Sequence, residues 1–193
     1  MAKENKTKFA LLGVLGLGPA SGYDIKKFCD ASIAHFWNEN YGHIYPVLRQ
    51  METDGWVTCE PEMANGKTRN VYHLTETGKK AYQDWLSVPP ESSPARYEFL
   101  LKMFFSKDIP MEDVIARLVR SKENCLILRQ TYEALATRME SALEKGLCEE
   151  RGLRFQYATV RYGILDVQAK IDWCEECIRL FQSETITEKG GAT

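Results

Sequence analysis

The stretch YGHIYPVLRQMETDGW, residues 41–56, decides how the chain reads. Ile44, Val47, Leu48 and Met51 recur at i, i+3, i+4 and i+7, one face of an α-helix. Gly55 stops that helix, and Trp56 opens a segment of different period. Pro46 has no N–H to offer a helical ladder, so it is tolerated only near a helix start. The helix therefore begins a few residues upstream of Pro46. Tyr41, Gly42, His43 and Tyr45 fall near its N-terminal end, where free backbone N–H groups suit a phosphate.

Upstream, residues 6–17 read as a short helix with Phe9, Leu12 and Leu15 on one face, ended by Gly16, Gly18 and Pro19. Ser21 is an N-cap for the next helix, with Asp24 at the position a capping box uses. Ile25, Phe28, Cys29, Ser32 and Phe36 form its stripe, and Lys26, Lys27 and Asp30 point away. Downstream of Gly55 the period changes to two. Residues 56–60 (WVTCE) and 69–74 (RNVYHL) read as strands, and Asn65-Gly66 between them is a strong hairpin signal. Thr75 then caps a further helix that turns Ala81, Tyr82 and Trp85 inward. Three helices, a hairpin and a helix within residues 1–86 is the order of a winged helix-turn-helix domain.

Residues 87–95 (SVPPESSPA) form a linker by composition. Residues 96–183 read as a helical domain. Val114, Leu118, Ser121, Cys125, Leu128, Tyr132, Leu135, Met139 and Ala142 alternate steps of four and three, a coiled-coil-like seam with Ser121 as its polar exception. A helix that long needs a partner to cover it. After a glycine-containing break at 145–154, a last helix carries a stripe of Ala158, Tyr162, Leu165, Ala169, Trp173 and Leu180. Residues 184–193 are expected to be a disordered tail. The fold expected is mainly α: an N-terminal winged helix-turn-helix with a two-stranded wing, then an α-helical dimerisation domain.

Composition narrows the function. The net charge is -2; residues 1–86 carry 10 Lys/Arg and 10 Asp/Glu, and the remainder 15 and 17. Neither part is basic, so any nucleic-acid role rests on a local face. No stretch is apolar enough to span a membrane, and no signal peptide is evident, so the expected location is the cytoplasm. Six cysteines scattered through helical patterns do not read as a disulfide framework. No nucleophile, phosphate-loop, metal-protease or dinucleotide fingerprint occurs, so neither enzyme activity nor a cofactor or metal is expected.

Three further stretches sharpen this. LLGVLGLGPASGYDIKKF (11–28), FWNENYGHIYPVLRQMETDGWV (36–57) and GKTRNVYHLTETGKKAYQDWL (66–86) resemble the opening helix and turn, the central signature, and the wing-return helix of PadR family transcriptional regulators. RYEFLLKMFFS (96–106) and RYGI (161–164) resemble the helical domain of the branch with a long second domain. The resemblance implies a homodimeric repressor that binds a palindromic operator. It also implies a small effector, phenolic or otherwise aromatic in some relatives.

Tyr41, His43, Tyr45 and Arg49 are then candidate DNA contacts on the recognition helix. Tyr45 could equally pack against the second helix. Lys67 and Arg69 flank the wing tip, Lys26 and Lys27 could reach phosphate, and Lys3, Lys6 and Lys8 form a basic arm. Leu118, Leu128, Leu135, Tyr162, Leu165, Ala169, Trp173 and Leu180 are the candidate dimer contacts. Trp37, Tyr97, Phe99, Phe104, Phe155, Tyr157, Tyr162 and Trp173 could supply an aromatic effector pocket, with Arg161 as an anchor for a carboxylate. Cys174 and Cys177 form a C-x-x-C that could act as a redox switch. Two other functions stay open at this stage: a protein-interaction adaptor whose winged domain no longer binds DNA, and a thiol-based regulator.

Overall fold

The computed structural model describes residues 5–34, 36–37, 41–64, 66–91, 96–146 and 150–190, and within these not the side chains of Tyr41, Ala64, Lys67, Glu150 and residues 184–190. The chain separates into two compact units, Met1–Ser93 and Pro94–Thr193.

The first unit is built around α1 (Thr7–Leu15). Phe9, Leu11, Leu12, Val14 and Leu15 are all buried, so this helix is apolar all round and forms the centre of the core. β1 (Ala20–Ser21) follows, then α2 (Gly22–Ser32) and α3 (Tyr41–Thr53). The expected capping box is present: the Asp24 N–H donates to Ser21 Oγ at 3.2 Å, and the Ser21 N–H donates to the Asp24 carboxylate at 3.2 Å. Phe36 lies beyond the end of α2 and is exposed, not part of its stripe. In α3, Ile44, Val47, Leu48 and Met51 are buried as their spacing predicts. Pro46 sits five residues after the helix start, at the cost of one ladder bond to the Gly42 carbonyl.

β2 (Val57–Ala64) and β3 (Lys67–Leu74) make the wing, with Gly66 at φ +75° in the turn. Both strands extend further toward the tip than their β-branched cores suggest. Pro61 is accommodated because β2 is an edge strand in the order β1-β3-β2. The third strand, β1, pairs only Ala20 and Ser21 with Tyr72 and Val71. α4 (Glu76–Ser87) closes the unit. Its start is locked: Thr75 Oγ1 accepts from the Gly78 N–H at 3.0 Å and donates to the Gly55 carbonyl at 2.7 Å. Gly78 rests on the Trp56 carbonyl, where an added Cβ would lie 2.1 Å from the oxygen. Trp85 stacks on Phe9 with ring centroids 4.6 Å apart.

The second unit contains α5 (Glu98–Phe104), a 3-10 turn at Ser106–Asp108, α6 (Met111–Glu144) and α7 (Glu150–Gly190). α6 is about 50 Å long at 1.5 Å per residue. It runs antiparallel to α7: Tyr132 and Ala136 pack with Val160, Ile164 and Val167, while Val114 and Leu118 pack with Cys174. Tyr157 donates its hydroxyl to Glu140 at 2.6 Å, and Lys122 pairs with Glu175 at 3.6 Å. The partner that α6 requires is thus partly supplied by its own chain. The stripe read from periodicity and assigned to the dimer is not the one that packs on α6. Val160, Ile164, Val167, Ile171 and Cys174 are buried, whereas Tyr162, Leu165 and Leu180 are 66%, 62% and 54% exposed. At 100° per residue the two stripes lie roughly 180° apart. Leu128 of the α6 seam is likewise exposed, and Ala136, off the seam, is buried in its place. α7 continues helical to Gly190, past residue 184 where composition predicts order to end.

Candidate nucleic-acid interface

α3 presents two faces. The apolar one is sealed into the core; the other carries His43, Tyr45 and Arg49, all exposed. Tyr45 does both things the sequence left open. Its ring covers Gly22 at the start of α2, where a Cβ would meet Cε1 at 2.7 Å, and it remains 41% exposed. Gly22 is therefore a packing requirement of Tyr45, which helix periodicity does not reveal.

The cations of this unit are less free than their spacing suggests. Lys26 pairs with Asp30 one turn on, and its side chain is 13% exposed. Arg69 reaches back from β3 to Asp24 at 3.2 Å and to Glu62 at 3.4 Å. The Ser21 hydroxyl, with help from Arg69, holds the Asp24 carboxyl below the usual carboxylate range. One guanidinium thereby joins the wing to the capping box of α2. Lys27 and Arg49 are exposed. Lys6 pairs with Glu91 at 3.1 Å, and Lys8 lies 4.8 Å from the ring centres of Phe9 and Trp56, so these two do not form a loose basic arm. Lys3 lies outside the described residues, as do the side chains of Tyr41 and Lys67.

In the helical unit, a cleft of about 420 Å³ opens between α5, α6 and α7. It gathers three of the expected aromatics, Tyr97, Phe99 and Trp173, with Phe99 edge-on to Trp173 at 5.9 Å. The rest of that set scatters: Phe104, Phe155 and Tyr162 are exposed, Tyr157 is bonded to Glu140 away from the cleft, and Trp37 belongs to the other unit. Arg161 does not line the cleft. The cation there is Lys170, hydrogen-bonded to Asp166 one turn before it at 2.5 Å. Burial pushes the thiols of Cys174 and Cys177 up, which leaves little thiolate and argues against a redox switch. Among the described residues no cluster of ligand-type side chains could hold a metal ion, and no helix is long and apolar enough to cross a membrane.

A helix-turn-helix with an exposed third-helix face beside a two-stranded wing defines a winged-helix DNA-binding protein. Comparison with known proteins makes this specific. Residues 11–84 match the transcriptional regulator PadR-like family, and residues 95–182 match the virulence activator alpha C-terminal domain. The chain belongs to the PadR-like family of transcriptional regulators, which are not enzymes, and carries that C-terminal domain.

Among its relatives, the negative transcriptional regulator PadR of Bacillus subtilis is 34% identical over 100 residues, covering 51% of this chain and 55% of the relative. The crystal structure of that protein in complex with operator DNA superposes with a TM-score of 0.72 at 22% identity, over 92% of this chain and 99% of the other. It has also been crystallised with p-coumaric acid. The Vibrio cholerae virulence activator AphA gives a TM-score of 0.73 at 26% identity, over 92% and 98% of the two chains. A probable transcriptional regulator of Mycobacterium tuberculosis is 25% identical over 179 residues, covering 86% of this chain and 92% of the relative.

Proposed function

We propose that the chain is a homodimeric, cytoplasmic repressor that reads a palindromic operator with α3 and the wing, and that a small planar aromatic effector releases it. The observation that carries this reading is the two-sided character of α3. One face is sealed into the core, and the other leaves His43 and Tyr45 exposed near the end where backbone N–H groups suit phosphate, with Arg49 exposed one turn further along. Tyr41, Lys26, Lys27, Lys67 and Arg69 complete the proposed contact set. Co-crystallisation of the Bacillus subtilis relative with operator DNA and with p-coumaric acid supports both halves of the reading.

The dimer is proposed from the outward apolar stripe of α7, Tyr162, Leu165 and Leu180, which the chain itself does not cover. Ala169 and Trp173 on α7, and Leu128 and Leu135 on α6, belong to the same proposed assembly; Leu118 does not, because it is fully buried against Cys174 within the chain. An effector need only bind two dimer spacings with different affinity to shift the balance between them.

The test is a footprint of the purified protein on DNA upstream of its own gene, across a salt titration. An inverted repeat with half-sites about one helical turn apart, or a multiple, and a salt-dependent affinity is the expected result. Absence of protection at low salt, with and without aromatic ligands, defeats the reading and favours an adaptor.

A further inference from the structure

Ser121 is the one polar residue in an otherwise apolar or thiol-bearing seam on α6, and its hydroxyl hydrogen-bonds with the Cys174 thiol of α7. Ser121 lines the cleft between α5, α6 and α7, beside Cys174. Tyr97, Phe99 and Trp173 form the aromatic walls, and among the described residues the Lys170–Asp166 pair is the only charged group in the lining. The two side chains of that pair are 47% and 37% exposed, so they stand at the mouth. The volume suits a two-ring planar compound, since small-molecule sites begin at about 300 Å³.

The pair decides which compound. Its net charge is zero. A carboxylate drawn to Lys170 meets Asp166 beside it, and an ammonium drawn to Asp166 meets Lys170. Asp166 accepts only, while Lys170 donates only and has protons beyond the one it gives Asp166. The hydrogen bond that Lys170 donates to Asp166 pushes the ammonium's pKa further up, so Lys170 keeps its charge at neutral pH. A hydroxyl on an aromatic ring satisfies both at once, donating to Asp166 and accepting from Lys170.

We infer that this cleft is the effector site and that it selects an uncharged, planar hydroxyaromatic compound over an aryl carboxylate. This rests on the effector-release reading above. It adds a location within one unit of the chain and a charge preference.

The experiment is calorimetric titration of the full-length protein with 2-naphthol, its methyl ether 2-methoxynaphthalene, and 2-naphthoate. Loss of the donor in the ether weakens binding about tenfold relative to 2-naphthol, and 2-naphthoate binds no better than the ether. Asp166→Asn weakens 2-naphthol about tenfold, and Ser121→Leu, which fills the cleft, abolishes binding while the helical circular dichroism stays unchanged. The inference is overturned if 2-naphthol gives no binding, if the three compounds bind alike, or if Ser121→Leu changes nothing. It is also overturned if 2-naphthoate binds tightest and Lys170→Met removes that binding, which is an anion site. Release of a fluorescent operator is read separately. Binding without release upholds the site and sinks effector release; release that survives Ser121→Leu sinks the site and leaves effector release standing.

Discussion

α3 and α7 are both amphipathic helices, yet the same periodic reading meets opposite fates in them. In α3 the stripe Ile44, Val47, Leu48 and Met51 is the buried face. In α7 the stripe through Tyr162, Leu165 and Leu180 faces outward, and a second apolar stripe through Val160, Ile164 and Val167 packs on α6. The difference is how many sides each helix must satisfy. α3 covers one core and leaves its other side polar. α7 has two apolar sides, one for α6 and one that the chain leaves open. Periodicity identifies an apolar face; it does not say what covers it.

The contrast can be broken within α7 itself, and this is the largest effect expected. Val167→Asp places a carboxylate between α6 and α7 and should cost about 4 kcal/mol, read as loss of helical circular dichroism and an early denaturation midpoint. Leu165→Asp, two residues earlier, should leave the helical signal intact and shift sedimentation from dimer to monomer, with operator affinity falling in step. A Leu165→Asp protein that still sediments as a dimer would place the interface elsewhere.

A smaller effect sharpens the comparison from the side of the first unit, where packing leaves less room. Gly78→Ala drives a methyl group into the Trp56 carbonyl and should destabilise that unit by about 3 kcal/mol. Urea denaturation followed by tryptophan fluorescence would register it, and an unchanged midpoint would mean the strand end moves aside freely.

Smallest is a dependence on acid. The folded-state pKa of Asp24 is lowered, chiefly by the Ser21 hydroxyl, so its contribution is present above the ordinary carboxylate range and is lost as pH falls through the folded value. Asp24→Asn should flatten the acid limb of the stability curve slightly and loosen the wing by releasing one of the two carboxylates that hold Arg69. The difference between the two proteins should vanish at low pH; a gap that persists there would point to a role other than charge.

Much of the first unit was legible because its signals are local. A cap, a proline near a helix start, an Asn-Gly tip and a change of period each act over a few residues. The two-residue strand β1 was not, since pairing with Tyr72 and Val71 is a long-range event that leaves no periodicity. Nor was the engagement of Arg69 by Asp24, residues far apart in sequence that the hairpin returns to one another. The aromatic cleft was legible only as a pool of residue types. Selecting Tyr97, Phe99 and Trp173 from it required the antiparallel register of α6 and α7.

The sequence by itself determined the order of elements, the buried face of α3 and the family to which the chain belongs, because each is encoded in short-range spacing and motif. Only the tertiary structure decided which face of α7 meets α6, which cations are already paired, and that Lys170, not Arg161, stands at the cleft. Those are facts of distance between residues remote in the chain, and no local pattern carries them.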